Sequence, residues 1–168
     1  MNWYWIDRFT LFESGKRASA IKVISRAESH LRDHFPFHAI APASLLIEGL
    51  AQTAGLTINE ATHFKKKVVL GKIPRLTFYQ TEIVPGDVIT FEAFVDYIHE
   101  EGSMATVSMY RGKELIADGV LIFAHLGMDF VQKNQFADGD LEDLVRAYGM
   151  YEVGVDMNGN PLKDPALK

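Results

Sequence analysis

Cysteine is absent from all 168 residues. That single absence removes a disulfide framework, a thiolate metal site and a cysteine nucleophile together, and it agrees with a reducing cytoplasmic setting. Long apolar runs are missing as well. No stretch approaches the roughly 20 apolar residues of a membrane span, and the aromatic start, Met1 to Ile6, meets Asp7 and Arg8 before a secretory signal core can form. There is no excess of positive charge either. The net charge is -5, with 13 basic and 14 acidic residues through His125 and 4 basic and 8 acidic residues after it. A clustered Lys/Arg face for nucleic-acid phosphates is therefore excluded. The acidity sits in the tail.

What is present fits one globular domain with an appendage. Trp3 to Phe12 and Ala18 to Ser25 read as short strands around a turn at Glu13-Ser14-Gly15-Lys16. Ala27 to Ile40 follows no period and carries His30, His34, His38 and Pro36, so it reads as a loop. Pro42 suits a helix start, Ser44 can serve the first-turn donors, and Ala43 to Ala61 is apolar on more than one face. Such a helix should be surrounded by protein. From Val68 onward the residues are β-formers: Val68–Leu70, Arg75–Ile83, Val88–Tyr97, Met104–Arg111 and Leu115–His125. Pro85-Gly86-Asp87, Glu100-Glu101-Gly102 and Arg111-Gly112-Lys113 stand between strands as turns. The expected class is α+β, an antiparallel sheet wrapped around one long central helix. We place this domain at 1–127 and an acidic C-terminal extension at 128–168, packed on the domain or at a subunit interface, with a short helix capped by Asp140 over Leu141–Tyr148.

Two polar residues stand out in apolar company. A neutral histidine can act as a base because its ordinary pKa of about 6.5 is near neutrality. A glutamate on an apolar helix can hold a proton because desolvation opposes its ionisation. N–H groups at a helix start can bind a developing oxyanion. His34, Glu48 and the free N–H groups at the start of the helix are candidates for these three roles, and Gln52, one turn after Glu48, can orient its carboxylate. Spacing alone also allows the plainer reading, in which His34 is a structural loop residue and Glu48 a helix-edge carboxylate reaching water. His30 and His38 keep that reading.

The surrounding residues carry a resemblance. His34-Phe35-Pro36, Pro42, Leu45, Glu48, Ala51 and Gln52 fall in register with the signature of bacterial 3-hydroxyacyl-[acyl-carrier-protein] dehydratases of the FabZ type. Ile6-Asp7-Arg8, Pro85-Gly86-Asp87 and Gly112-Lys113 resemble flanking segments of the same family. The resemblance covers about Trp3 to His125. It implies a hot-dog fold and the dehydration of a 3-hydroxyacyl thioester to the trans-2-enoyl thioester in fatty-acid or related lipid biosynthesis, with His34 and Glu48 catalytic and the Ala43 backbone N–H as the oxyanion-binding amide. It further implies an acyl carrier protein (or coenzyme A) as the carrier of the substrate, an apolar acyl tunnel with Phe35, Phe37 and Pro42 as lining candidates, and no metal or organic cofactor beyond the substrate's own phosphopantetheine. A homodimer whose sites take His and Glu from opposite subunits is implied too, with possible assembly into a trimer of dimers.

Three residues depart from the family pattern. Phe37 and Ala43 replace glycines and Ala39 replaces a frequent proline, so Phe37 is expected to narrow the site, cap the tunnel or tilt His34. Two other functions fit the same fold: an acyl thioesterase, and a non-catalytic subunit that binds acyl thioesters or their carrier. Lys65-Lys66-Lys67, with Lys72 and Arg75, is a candidate contact for an acidic carrier, with plain solvated surface as the alternative. Asp156, Asn158 and Asn160 begin like a calcium loop, but Pro161 and Leu167 occupy the positions that need Gly and Glu.

Overall fold

The alternation in the sequence becomes pairing in the computed structural model, which describes residues 4–127 and 140–167. β1 (Arg8–Glu13) and β2 (Arg17–Val23) form a hairpin whose turn holds Gly15 at φ 64°. The helix α1 (Ala43–Ala61) follows, then four long strands: β3 (Lys67–Phe78), β4 (Val88–Ile98), β5 (Gly102–Arg111) and β6 (Glu114–Leu126). After the segment 128–139, α2 (Asp140–Ala147), α3 (Met150–Val153) and the two-residue β7 (Gly154–Val155) complete the chain. The sheet runs β3-β6-β5-β4-β2-β1-β7. Neighbours are antiparallel except β7, which lies parallel to β1.

One face of this sheet is apolar because every second residue points to it. Ala18 and Ala20, Ile89, Phe91 and Ala93, Ala105, Val107 and Met109, and Leu121 and Phe123 are all buried. They close around α1, giving the hot-dog arrangement of a sheet wrapped on a helix. α1 can approach closely because Gly49 lacks a side chain: a Cβ there would lie 2.4 Å from Phe91 Cζ.

The last turns of α1 are enclosed, and their polar side chains turn back on the helix. Thr53 Oγ1 donates to Gly49 O, Thr57 Oγ1 to Thr53 O and Asn59 Nδ2 to Gly55 O, at 2.8, 2.8 and 3.0 Å. Buried hydroxyls and amides without such bonds would oppose folding. The first turns are different, since Ala43 and Ser44 are exposed and Leu45, Ile47 and Glu48 only half-buried. The expectation of a helix enclosed along its whole length therefore holds for its second half alone.

Two local expectations are corrected. Val68–Leu70 and Arg75–Ile83 are not two strands but one, β3, which bulges twice between Leu70 and Arg75 and ends at Phe78. Pro74 lies in the bulged stretch of this terminal strand, where its missing N–H breaks no ladder. At the helix start Pro42 is the N-cap rather than the first helical residue, with extended backbone at ψ 132° and no side-chain cap. Its carbonyl accepts the N–H groups of Leu45 and Leu46, so Ser44 has no capping role.

The tail is fastened to the sheet. Val145 and Met150 are fully buried, and Arg146 bridges Asp143 and Asp164. α2 stops because Gly149 adopts φ 68°, a left-handed cap that suits glycine. The lead-in to β1 is fixed too, by Asp7, whose carboxylate accepts the Val23 N–H and pairs with Lys22.

Candidate active site

The loop that carries His34 is clamped at both ends on the turn before β4. The Ile24 N–H donates to Asp87 O, the Gly86 N–H to Ile24 O and the Ala41 N–H to Ile83 O, at 2.9, 2.9 and 2.7 Å. The turn itself is set by Gly86 at φ 104° and by Asp87, whose carboxylate accepts the Val84 N–H and faces Arg111. The Pro-Gly-Asp segment therefore serves the site as a buttress.

Inside the loop, Phe35 to His38 makes a tight turn in which the two end residues exchange backbone hydrogen bonds of 3.0 Å each. Pro36 takes the second position and Phe37 the third, at φ 67°. This is the type II pattern, which asks for glycine at that third position. Phe37 is fully exposed (109%) and Phe35 is 54% exposed. Within this chain the Phe37 ring stands in the open on its left-handed backbone, and the ring stacked on His34 is that of Phe35.

His34 is held by the strand-like closure of that turn. The Ile40 N–H donates to His34 O at 2.8 Å, and the His34 ring Nδ1 lies 2.9 Å from Ile40 O. A carbonyl oxygen only accepts, so Nδ1 carries the hydrogen and Nε2 is left with its lone pair. The ring also stacks on Phe35, with centroids 4.4 Å apart. The imidazole is thus half-buried and held in orientation by one ring nitrogen, and in its neutral form the other nitrogen keeps its lone pair.

The other two loop histidines have different surroundings. His30 lies against Trp5 and Glu28, and burial holds its pKa below the ordinary value while Glu28 opposes that shift. His38 pairs with Glu82 in the open.

Glu48 sits on the second turn of α1, half-buried, where its Oε1 accepts the Gln52 side-chain amide at 3.1 Å. Gln52 is itself fixed. Its Oε1 accepts the Trp5 N–H at 3.1 Å and the Tyr148 hydroxyl at 3.3 Å. At the start of the same helix the N–H groups of Ala43 and Ser44 have no acceptor among the described residues and face outward on exposed positions. Pro42, half-buried, joins this helix start to the His34 loop. These elements present an imidazole, a carboxyl and helix-start N–H groups, the kinds of group that acid/base chemistry with an oxyanion intermediate uses.

Two neighbours of this site gave no signal in the sequence. Trp5 acts through a backbone N–H, which no side-chain pattern reports, and Tyr148 arrives from a tail 96 positions beyond Gln52. The other flagged segments lie apart. Lys66 donates to Glu100 O and Arg75 pairs with Asp118, while the Asp156 carboxylate accepts the Asn158 and Asn160 N–H groups of its own turn. Among the described residues no group of His, Asp and Glu is arranged to hold a metal ion. A cavity of about 690 Å³ opens at the far end of α1, between Glu60, Phe64, Tyr151 and Leu162. It contains neither His34 nor Glu48.

The family model for FabA-like domains matches residues 2–125. The 3-hydroxyacyl-[acyl-carrier-protein] dehydratase FabZ of Clostridioides difficile (strain 630) is 32% identical over 120 residues, covering 71% of this chain and 84% of that protein. The protein of the same name from Listeria monocytogenes serotype 4b (strain F2365) is 29% identical over 119 residues, covering 71% and 83%. Among solved structures, the dehydratase heterocomplex ApeI:P from Xenorhabdus doucetiae matches with a TM-score of 0.62 at 13% identity, over 78% of this chain and 91% of that one. A hypothetical thioesterase with coenzyme A from Streptococcus pneumoniae TIGR4 matches with a TM-score of 0.57 at 9% identity, over 71% and 85%. At such identities the structural matches establish the fold and leave the reaction open.

Proposed function

The chain belongs to the FabA-like domain family, and on that premise we propose that it dehydrates 3-hydroxyacyl thioesters to trans-2-enoyl thioesters in fatty-acid biosynthesis. The observation that carries the proposal is the 2.9 Å contact between His34 Nδ1 and Ile40 O, which in the neutral ring commits the Nδ1 hydrogen and leaves the Nε2 lone pair for the substrate. Nε2 takes a proton from the substrate Cα. The electron pair moves onto the thioester oxygen, where the Ala43 N–H stabilises the enolate. Collapse of the enolate forms the Cα–Cβ double bond and breaks the Cβ–O bond, and Glu48, bearing the proton, passes it to the departing hydroxyl so that water leaves. Gln52 orients Glu48. We assign no cofactor, since an imidazole and a carboxyl supply both proton transfers and the phosphopantetheine arm belongs to the substrate.

The acyl group arrives on an acyl carrier protein, as the names of the relatives indicate for them, and the work is placed in the cytoplasm. A homodimer goes with this reading. The outer edge of β3 is unpaired among the described residues and carries exposed Leu70 and Ile73, a surface suited to a second copy of the same strand. The two subunits exchange partners at the site, one giving His34 and the other Glu48. Product analysis tests the reaction. Incubation with a carrier-bound 3-hydroxyacyl thioester should yield the conjugated enoyl thioester, seen by its absorbance. Free thiol without enoyl product would replace dehydration by thioester hydrolysis.

A further inference from the structure

Gln52 can orient Glu48 only if its amide is held the right way round. Exchanging its O and N would turn an oxygen toward the carboxylate and repel it. Two donors prevent the exchange, the Trp5 backbone N–H and the Tyr148 hydroxyl, both on Gln52 Oε1. With the oxygen so occupied, Nε2 must face Glu48, 3.1 Å away.

From this arrangement we infer that Tyr148, in the C-terminal extension, is a positioning residue for the dehydration, acting through Gln52 on Glu48. The extension itself sets its place. Tyr148 stands at the left-handed cap of α2, its carbonyl accepts the Phe9 N–H at 2.9 Å, and its ring, 3% exposed, lies edge-on to Phe9 and Tyr4. Burial raises the phenol pKa above its ordinary value, with Tyr4, Asp7 and Glu48 adding to the shift. The hydroxyl therefore keeps its hydrogen and remains a donor throughout the neutral range. A buried hydroxyl needs a partner, and this one has the amide that faces Glu48. Hydrogen bonds in series polarise one another, so donation to Oε1 also strengthens donation from Nε2.

The inference rests on the catalytic reading of Glu48, and its test separates the two. Tyr148→Phe keeps the buried ring and removes one oxygen. In the full chain it should lower kcat about three- to tenfold, the size expected of one neutral hydrogen bond, with KM and melting temperature close to wild type. In a Gln52→Ala background the same change should have no further effect on kcat. The side-chain amide resonances of Gln52, followed by NMR, should shift in Tyr148→Phe whether or not the protein turns over any substrate. Unchanged Gln52 resonances would overturn the inference, as would unchanged kcat or a loss of equal size in the Gln52→Ala background. A wild-type chain that does not dehydrate, yet shows the Gln52 shift, would leave the contact standing and remove the proposed reaction instead.

Discussion

Replacing Phe37 by glycine should stabilise the protein, although it deletes one of the two phenylalanine rings of the His34 loop. Phe37 holds φ 67° in a turn whose third position favours glycine. A left-handed backbone costs a residue with a Cβ about 1 to 2 kcal/mol, and glycine escapes that cost. Against this, the unfolded chain gains freedom with glycine, worth about 0.4 to 1 kcal/mol. The ring is fully exposed, so its removal gives up no burial within this chain. The net gain is about 0 to 1.6 kcal/mol, or up to about 6 °C in melting temperature for a chain of this size. Urea denaturation of wild type and Phe37→Gly at matched concentration reads it. A loss of more than about 1 kcal/mol would refute the reasoning, because it would mean that the ring is packed against another surface and that its contacts outweigh the backbone strain.

Further outcomes follow from other contacts. Gly49→Ala would place a methyl group against the Phe91 ring; overpacking of this kind costs about 1 to 3 kcal/mol, so thermal unfolding should fall and, because Glu48 is the adjacent residue, kcat with it. Acidification from about pH 7.5 to about pH 5.5 should lower stability. Burial depresses the pKa of His30 and His125 in the folded chain, so the unfolded chain takes up protons first as the pH falls through about 6.5. Asp118 and Asp164, whose pKa values are lowered chiefly by hydrogen bonds from Tyr79 and Arg146 respectively, stay ionised across that window and do not contribute. Denaturation midpoints at the two pH values check this, and His125→Gln should flatten the difference. If the site is shared between subunits, mixing inactive His34→Ala with inactive Glu48→Gln should restore part of the activity as hybrid dimers form, and no recovery after subunit exchange would place both residues in one chain.

How much of this was legible in the sequence depended on what each segment packs against. α1 was legible from Ala43 to Ala61 because its apolar residues cover several faces and Pro42 marks its start. β4, β5 and β6 were legible because one face is buried and the other is not, which enforces alternation. β3 was not, since it is largely exposed and bulged, and its pattern carries no constraint from a core. The site divides in the same way. His34, Glu48, Gln52 and the Ala43 N–H lie within 19 consecutive residues and could be read together. Tyr148 and the Trp5 N–H come to Gln52 only through tertiary packing, so no local spacing announces them. Phe37 was readable as a departure from the family pattern, but its consequence was not: the sign of φ that throws its ring outward belongs to the folded turn.

The central claim is that His34 is the base. The most direct measurement is the rate at which purified His34→Ala dehydrates a carrier-bound 3-hydroxyacyl thioester, relative to wild type, with intact mass of the carrier reporting the loss of water. The account predicts a fall of at least about a hundredfold with an unchanged unfolding midpoint, since the ring's hydrogen bond to Ile40 O lies in a loop already closed by backbone bonds. A variant that retains the wild-type rate would contradict it.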